Sequence, residues 1–112
     1  MRRALTVVNP IAGRGRGRAM AVRLAEALSQ RGMELELAAT SQAGDGRSAA
    51  GRAGDYDLLV AVGGDGTLNE VVNGLEADCP VALFPLGTGN VLAKELRLPR
   101  RVDRFCEMVA QG

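Results

Sequence analysis

A chain of 112 residues has room for one domain of ordinary size, which should bury roughly 65% of the surface it exposes when unfolded. Hydrophobic residues make up 46% and aromatic residues only 3%, so Val, Leu, Ala and Met must fill the interior; 14 basic against 13 acidic residues leave a formal charge of +1, short of the excess a nucleic-acid binder shows. There is no His, which excludes imidazole acid–base chemistry, His-based nucleophilic triads and His metal ligands, and leaves any proton transfer to a carboxylate.

The chain opens MRRALTVVNP. The charged start is that of a signal peptide, but the apolar part stops at Val8 and meets Asn9-Pro10, so Ala4–Val8 reads as a first strand. Polar residues Arg23, Glu26 and Gln30 recur every three or four positions and predict a helix over Arg16–Arg31, with Gly32 where a helix C-cap belongs. Met33–Leu37 alternates strictly, with Glu34 and Glu36 on one face, and predicts a strand wet on one side, hence at a sheet edge. Ser41–Gly54 holds four Gly and supports only a short helix around Arg47–Ala53. Leu58–Val62, the longest unbroken apolar run, and Val81–Phe84 read as strands buried on both faces.

Thr67–Leu75 is a helix pattern with a capping-box start, Thr67 standing three residues before Glu70. Val91–Leu98 is a further helix, stopped by Pro99, and Val102, Phe105, Cys106 and Val109 mark one face of a last one. Cys79 and Cys106 are too few and too far apart for a disulfide scaffold or a zinc site, and read as buried, reduced thiols of a cytosolic protein. No stretch approaches the roughly 20 apolar residues of a membrane span.

The alternation of strands and helices predicts a single α/β domain: a parallel sheet with helices on both faces, in the order 2-1-3-4. Ligands of such sheets bind beyond the carboxyl ends of the strands, so the strand-to-helix loops are where function belongs. Three are conspicuous. Asn9–Gly15 is Gly-rich and is followed by Arg16 and Arg18. It is neither a Walker loop, which needs Gly-Lys-Ser/Thr, nor a dinucleotide fingerprint, which needs Gly where Arg18 stands. It reads as a phosphate contact, a solvated flexible loop or an arginine-glycine RNA segment. Gly63-Gly64-Asp65-Gly66-Thr67 follows the third strand. Its glycines allow close approach of a phosphate, and Asp65 would need a Mg²⁺, a water or a ribose hydroxyl between itself and that anion. Leu86-Gly87-Thr88-Gly89-Asn90 follows the fourth strand, where Thr88 or Asn90 could serve as an N-cap alone or join the same pocket.

Together these segments resemble a known family. Gly63–Glu70 (GGDGTLNE) resembles the signature of the diacylglycerol kinase catalytic domain, shared by bacterial lipid kinases, sphingosine kinases and ceramide kinases. NAD kinases and phosphofructokinases carry related GGDG segments, so the companions matter. Asn9-Pro10 with Gly13 resembles the family's opening Asn-Pro-x-x-Gly, and Pro85–Asn90 resembles its Pro-x-Gly-Thr-x-Asn loop.

The resemblance implies a Rossmann-like three-layer domain that binds ATP with Mg²⁺ and serves transfer of the γ-phosphate to a lipid hydroxyl. The nucleotide contacts it implies are Asn9, Thr40, Gly63, Gly64, Asp65, Gly66, Thr67, Leu68, Asn69 and Thr88. It also implies a cytoplasmic protein with peripheral contact at the inner face of the membrane; the charge balance already argues against a nucleic-acid partner.

Family members are much longer and place a β-rich second domain after a segment like this one. That domain carries most of the lipid cleft and the catalytic carboxylate, so no catalytic or metal residue is assigned here. The expectation is a nucleotide-binding lobe that is catalytically incomplete alone and prone to self-association. Many bacterial members have Asp where this chain has Val91, which leaves that residue's role without a carrier. The competing expectations are NAD kinase-like chemistry and a non-catalytic nucleotide-binding or assembly module.

Overall fold

The computed structural model describes residues 2–76, 79–86 and 102–111. Its four strands, β1 (Arg2–Val8), β2 (Met33–Ala39), β3 (Leu58–Gly63) and β4 (Val81–Pro85), form one sheet in the order β2-β1-β3-β4. Every pairing is parallel. Val8 lies beside both Ala39 and Val62, and Gly63 lies beside Pro85. This register aligns the carboxyl ends of all four strands and so creates one rim. The expected sheet and strand order are both realised.

Helices α1 (Ala12–Gly15), α2 (Gly17–Ser29), α3 (Asp45–Ala50), α4 (Asp65–Gly74) and α5 (Val102–Gln111) surround the sheet, with a 3-10 turn at Ala53–Asp55. One face of the sheet offers Ala4, Val8, Val60, Val62 and Phe84 to Ala21, Leu24 and Leu28 of α2 and to Phe105, Cys106 and Val109 of α5. The other offers Leu5, Val7, Leu59, Ala61 and Leu83 to Ala50, Ala53 and Val71 on the α3 and α4 side. Successive strand residues point to opposite faces, so a strand covered on both sides must be apolar throughout. That is why β3 is buried along its whole length.

Edge strand β2 behaves as its alternation predicts at Met33, which is buried, and Leu35, which packs against the α2 side. Burial fades toward the rim, where Leu37 is 43% exposed.

Several boundaries differ from expectation. The helix around Arg47–Ala53 begins earlier, at Asp45, and ends at Ala50 before the 3-10 turn. The long helix runs Gly17–Ser29, preceded by α1 within the segment expected to be all loop. Gly32 takes φ 82 beyond its end, as a helix-terminating glycine does. The helix expected at Val91–Leu98 lies outside the described residues.

The capping box is absent. Gly64, in extended conformation, occupies the N-cap position of α4, no side chain caps the helix, and Thr67 sits within it. Of the two thiols, Cys106 is buried as expected and Cys79 only half-buried. Burial, then the negative charge of Asp57, raises the Cys79 pKa above its ordinary value and keeps it a neutral thiol.

Two helices on one face are unusually close. A methyl group on Gly74 of α4 would fall inside the van der Waals shell of the Arg47 carbonyl oxygen in α3. Eight residues earlier, Gly66 meets nothing and looks into open space. Helices α3 and α4 therefore touch backbone to backbone near the end of α4, and Gly46 at the start of α3 lies against Glu70 one turn nearer the rim.

Candidate functional site

Backbone hydrogen bonds carry the sheet register into the loops. The Asn9 amide donates to the Val62 carbonyl at 3.1 Å, the Thr40 amide to Val8 at 2.8 Å, and the Leu86 amide to Gly63 at 2.9 Å. The residues that follow β1, β2 and β4 are thereby pinned to neighbouring strand ends. Between them opens a cleft of about 540 Å³. Asn9, Pro10 and Ile11 line one side, Thr40, Ser41, Gln42, Ala43 and Gly46 another, and Gly66, Thr67 and Glu70 of α4 the third.

The first loop differs from a free amide cradle. Asn9 organises it locally: its Oδ1 accepts from the Ile11 amide at 3.2 Å, and its carbonyl accepts from Ala12 at 3.1 Å. The Gly15 and Arg16 amides donate back to Ile11 and Ala12. These four amides are committed within the loop, so Asn9 presents a fixed turn to the cleft rather than a ring of free donors. Ile11, 77% exposed, supplies an apolar lip.

The second wall is built on a carboxylate. Asp45 Oδ2 accepts from the Ser41 amide at 2.8 Å, the Ser41 hydroxyl at 3.1 Å and the Gln42 amide at 3.1 Å. These donors favour its ionised form; the Ser41 amide, then the Gln42 amide, pull the Asp45 pKa below its ordinary value. The Thr40 hydroxyl donates to the Val8 carbonyl at 3.4 Å, anchoring the wall to β1.

The third wall is the N-terminal turn of α4. First-turn amides lack intrahelical acceptors, and the helix end favours negative charge. Gly66 and Thr67 occupy this turn. The Gly66 Cβ direction is open, so a bulky anion can approach the backbone there. Glu70, the one carboxylate lining the cleft among the described residues, has its Oε1 engaged by the Gly46 amide at 2.9 Å.

Of the residues expected at the site, the structure brings Asn9, Thr40, Gly66 and Thr67 together on the cleft. Gly63 is buried at the end of β3 beneath the Thr67 side chain; Gly64 and Asp65 form the bend into α4. Leu68 packs into the core on the α3 and α4 side, and exposed Asn69 accepts from Asn73 Nδ2 at 3.3 Å. Thr88 lies outside the described residues. Sequence reasoning named Pro10 and Ile11 only as part of the first loop, passed over Ser41, Gln42, Ala43 and Gly46, and gave Glu70 a capping role and the last place in the GGDGTLNE segment. The available signal was Ser41-x-x-x-Asp45, a polar pair at the mouth of a predicted loop.

Among the described residues no group of three or more His, Cys, Asp or Glu could hold a metal ion, and no helix is long and apolar enough to cross a membrane. The cleft offers helix-end amides, hydroxyls and small side chains. That chemistry can hold an anionic ligand, and the Glu70 carboxylate on the cleft is engaged by the Gly46 amide.

Comparison with known proteins gives the same direction. Residues 3–112 match the diacylglycerol kinase catalytic domain. A diacylglycerol kinase of Bacillus subtilis (strain 168) is 39% identical over 105 residues, covering 89% of this chain and 35% of that protein. One from Staphylococcus carnosus (strain TM300) is 34% identical over 117 residues, covering 99% and 38%. The crystal structure of a diacylglycerol kinase from Bacillus anthracis str. Sterne superposes with a TM-score of 0.80 at 27% identity, over 98% of this chain and 42% of that one. The chain thus spans little more than a third of the length of these curated relatives. From its matched segment and the placement of its loops on the rim of a parallel sheet, this chain belongs to the diacylglycerol kinase catalytic domain family.

Proposed function

We propose that the chain is the nucleotide-binding lobe of an ATP-dependent lipid kinase. The observation that carries this reading is the convergence of Asn9 and Thr40, from two loops, and of Gly66 and Thr67, from the N-terminal turn of α4, on one cleft. Phosphoryl transfer depends mainly on positioning and on neutralising charge; the cleft walls serve the first, and a bound Mg²⁺ with the helix-end amides would serve the second. In the reaction, a lipid hydroxyl oxygen bonds to the γ-phosphorus, the bond to the β–γ bridging oxygen breaks, and ADP leaves. The hydroxyl proton passes to a base that, in this reading, lies with the lipid cleft in another part of the protein.

The open Cβ direction of Gly66 and the first-turn amides of α4 suit a triphosphate. Asp65, at the first position of that helix, is the carboxylate nearest in sequence to those amides and the candidate partner for Mg²⁺. Magnesium usually arrives with the nucleotide phosphates and takes only one or two protein carboxylates, which fits a site without an acidic cage. When bound, the ion supplies charge neutralisation at the phosphates. Asn9 and Thr40 hold the two loops that flank the nucleotide, and Gly66 and Thr67 orient the phosphates by backbone donation. The lipid acceptor, a cytoplasmic setting with peripheral membrane contact, and self-association through faces that a second domain would cover belong to the same proposal.

Calorimetry with Mg-ATP tests it. Wild type is expected to bind. Asp65→Asn should weaken binding roughly tenfold, about 1.4 kcal/mol. Gly66→Ala should match or exceed wild-type stability, since Ala is the better helix former by about 1 kcal/mol, yet bind less well because its methyl enters the cleft. Displacement of ATP by NAD would favour an NAD kinase-like site. Identical affinities for wild type and both variants would reduce the Gly63–Thr67 segment to a turn.

A further inference from the structure

We infer that Glu70 is a positioning residue that caps helix α3 from outside and holds two walls of the cleft at a fixed separation. The inference rests on the nucleotide reading only for its binding readout; the structural part stands alone.

Helix α3 has no cap of its own. Gly44, at its N-cap position, takes φ 94 and has no side chain to turn back on the first-turn amides. Asp45 is the natural substitute, but its carboxylate faces the other way and gathers Ser41 and Gln42. The Gly46 amide is served instead by Glu70 Oε1 at 2.9 Å, from a helix that follows 24 residues later. Gly46 is small for this purpose: a Cβ there would stand 2.9 Å from the same oxygen. Position 46 is buried, and the bond is partly shielded from water, where a charge-assisted hydrogen bond is stronger than at the surface.

Position on α4 decides what this bond does. Residues four and three apart share a helix face, so Glu70 stands on the same side as Gly66 and Thr67. Its backbone belongs to the wall bearing those helix-end amides. Its carboxylate belongs, through Gly46 and then Asp45, to the wall of Ser41, Gln42 and Ala43. Arg47, the next residue of α3, is in backbone contact with Gly74 of α4. One turn nearer the rim, Glu70 supplies the hydrogen-bonded link from α4 to the start of α3. Without it the Ser41–Gly46 segment is released at one end, and the cleft loses its set width. Glu70 acts through Gly46, as an acceptor, and does not need to meet the ligand.

Amide hydrogen exchange and Mg-ATP calorimetry on wild type, Glu70→Ala and Glu70→Gln test this. Gln retains an acceptor oxygen; Ala does not. In Glu70→Ala, exchange at Gly46 and at Ser41–Ala43 should quicken by roughly tenfold or more, while β1 and β3 amides keep their protection. The dissociation constant for Mg-ATP should rise roughly tenfold in the Ala variant and less than about threefold in the Gln variant.

Unchanged exchange at Gly46 in Glu70→Ala would overturn the inference. So would equal loss of affinity in both variants, which would mark Glu70 as a direct ligand, or unchanged affinity in the Ala variant. If wild type binds no Mg-ATP, the proposed function fails, and the exchange measurement alone decides the role of Glu70.

Discussion

Gly74→Ala is expected to lower the unfolding free energy by about 3 kcal/mol, the upper part of the range for overpacking a rigid site. Domains of this kind hold roughly 5–15 kcal/mol in total, so a single methyl should remove a large share. The added carbon meets the Arg47 carbonyl of α3, a backbone group with no rotamer to change. Helices α3 and α4 would have to separate, exposing Ala50 and Val71 of the core beneath them. The gain in helix propensity, about 1 kcal/mol, offsets only part of this. Chemical denaturation should show a lower midpoint for Gly74→Ala and an equal or higher one for Gly66→Ala, the glycine of the same helix that faces open space. A wild-type midpoint for Gly74→Ala would mean that the two helices are not in contact at Arg47.

Phe84→Ala should cost about 3–5 kcal/mol. The chain has only two Phe. Phe84 and Phe105 are both fully buried and meet edge to face, with ring centroids 5.3 Å apart and planes at 81°. Pairs in this geometry contribute about 0.5–1.5 kcal/mol beyond the area they bury. In an interior otherwise made of small aliphatic residues, nothing of similar size can swing into the vacated space. Since Phe84 belongs to β4 and Phe105 to α5, the loss should fall on their junction. Amide exchange is expected to accelerate first in α5, ahead of global unfolding. A double-mutant cycle with Phe84→Leu and Phe105→Leu isolates the ring–ring term, and strict additivity of the two single changes would remove it.

Most of the fold was legible because the evidence for it is local. Leu58–Val62 is apolar at every position because two helical layers cover it, and Met33 and Leu35 alternate with Glu34 and Glu36 because only one side is covered at that part of the sheet edge. The site was half legible. Asn9, Gly66 and Thr67 stand out by their company of Gly and Pro, and they do line the cleft. Ser41, Gln42 and Gly46 do not, because what holds them is distant in sequence: Gly46 is small on account of Glu70, and α3 begins at Asp45 without a cap of its own. The Thr67-x-x-Glu70 spacing misled for the same reason. A capping box requires Thr67 to stand outside the helix, and Gly64 takes that place, leaving Glu70 to reach a partner on another element.

The placement of β1 between β2 and β3 bears on how the molecule is made. The Asn9 amide finds its acceptor, Val62, only when the third strand arrives, and the wall carrying Glu70 comes later still. On a translating ribosome the emerging chain therefore presents β1 with one edge unpaired until β3 has emerged, a template for unwanted pairing. A ligand of the cleft cannot rescue that early stage, because the cleft does not exist until α4 has emerged.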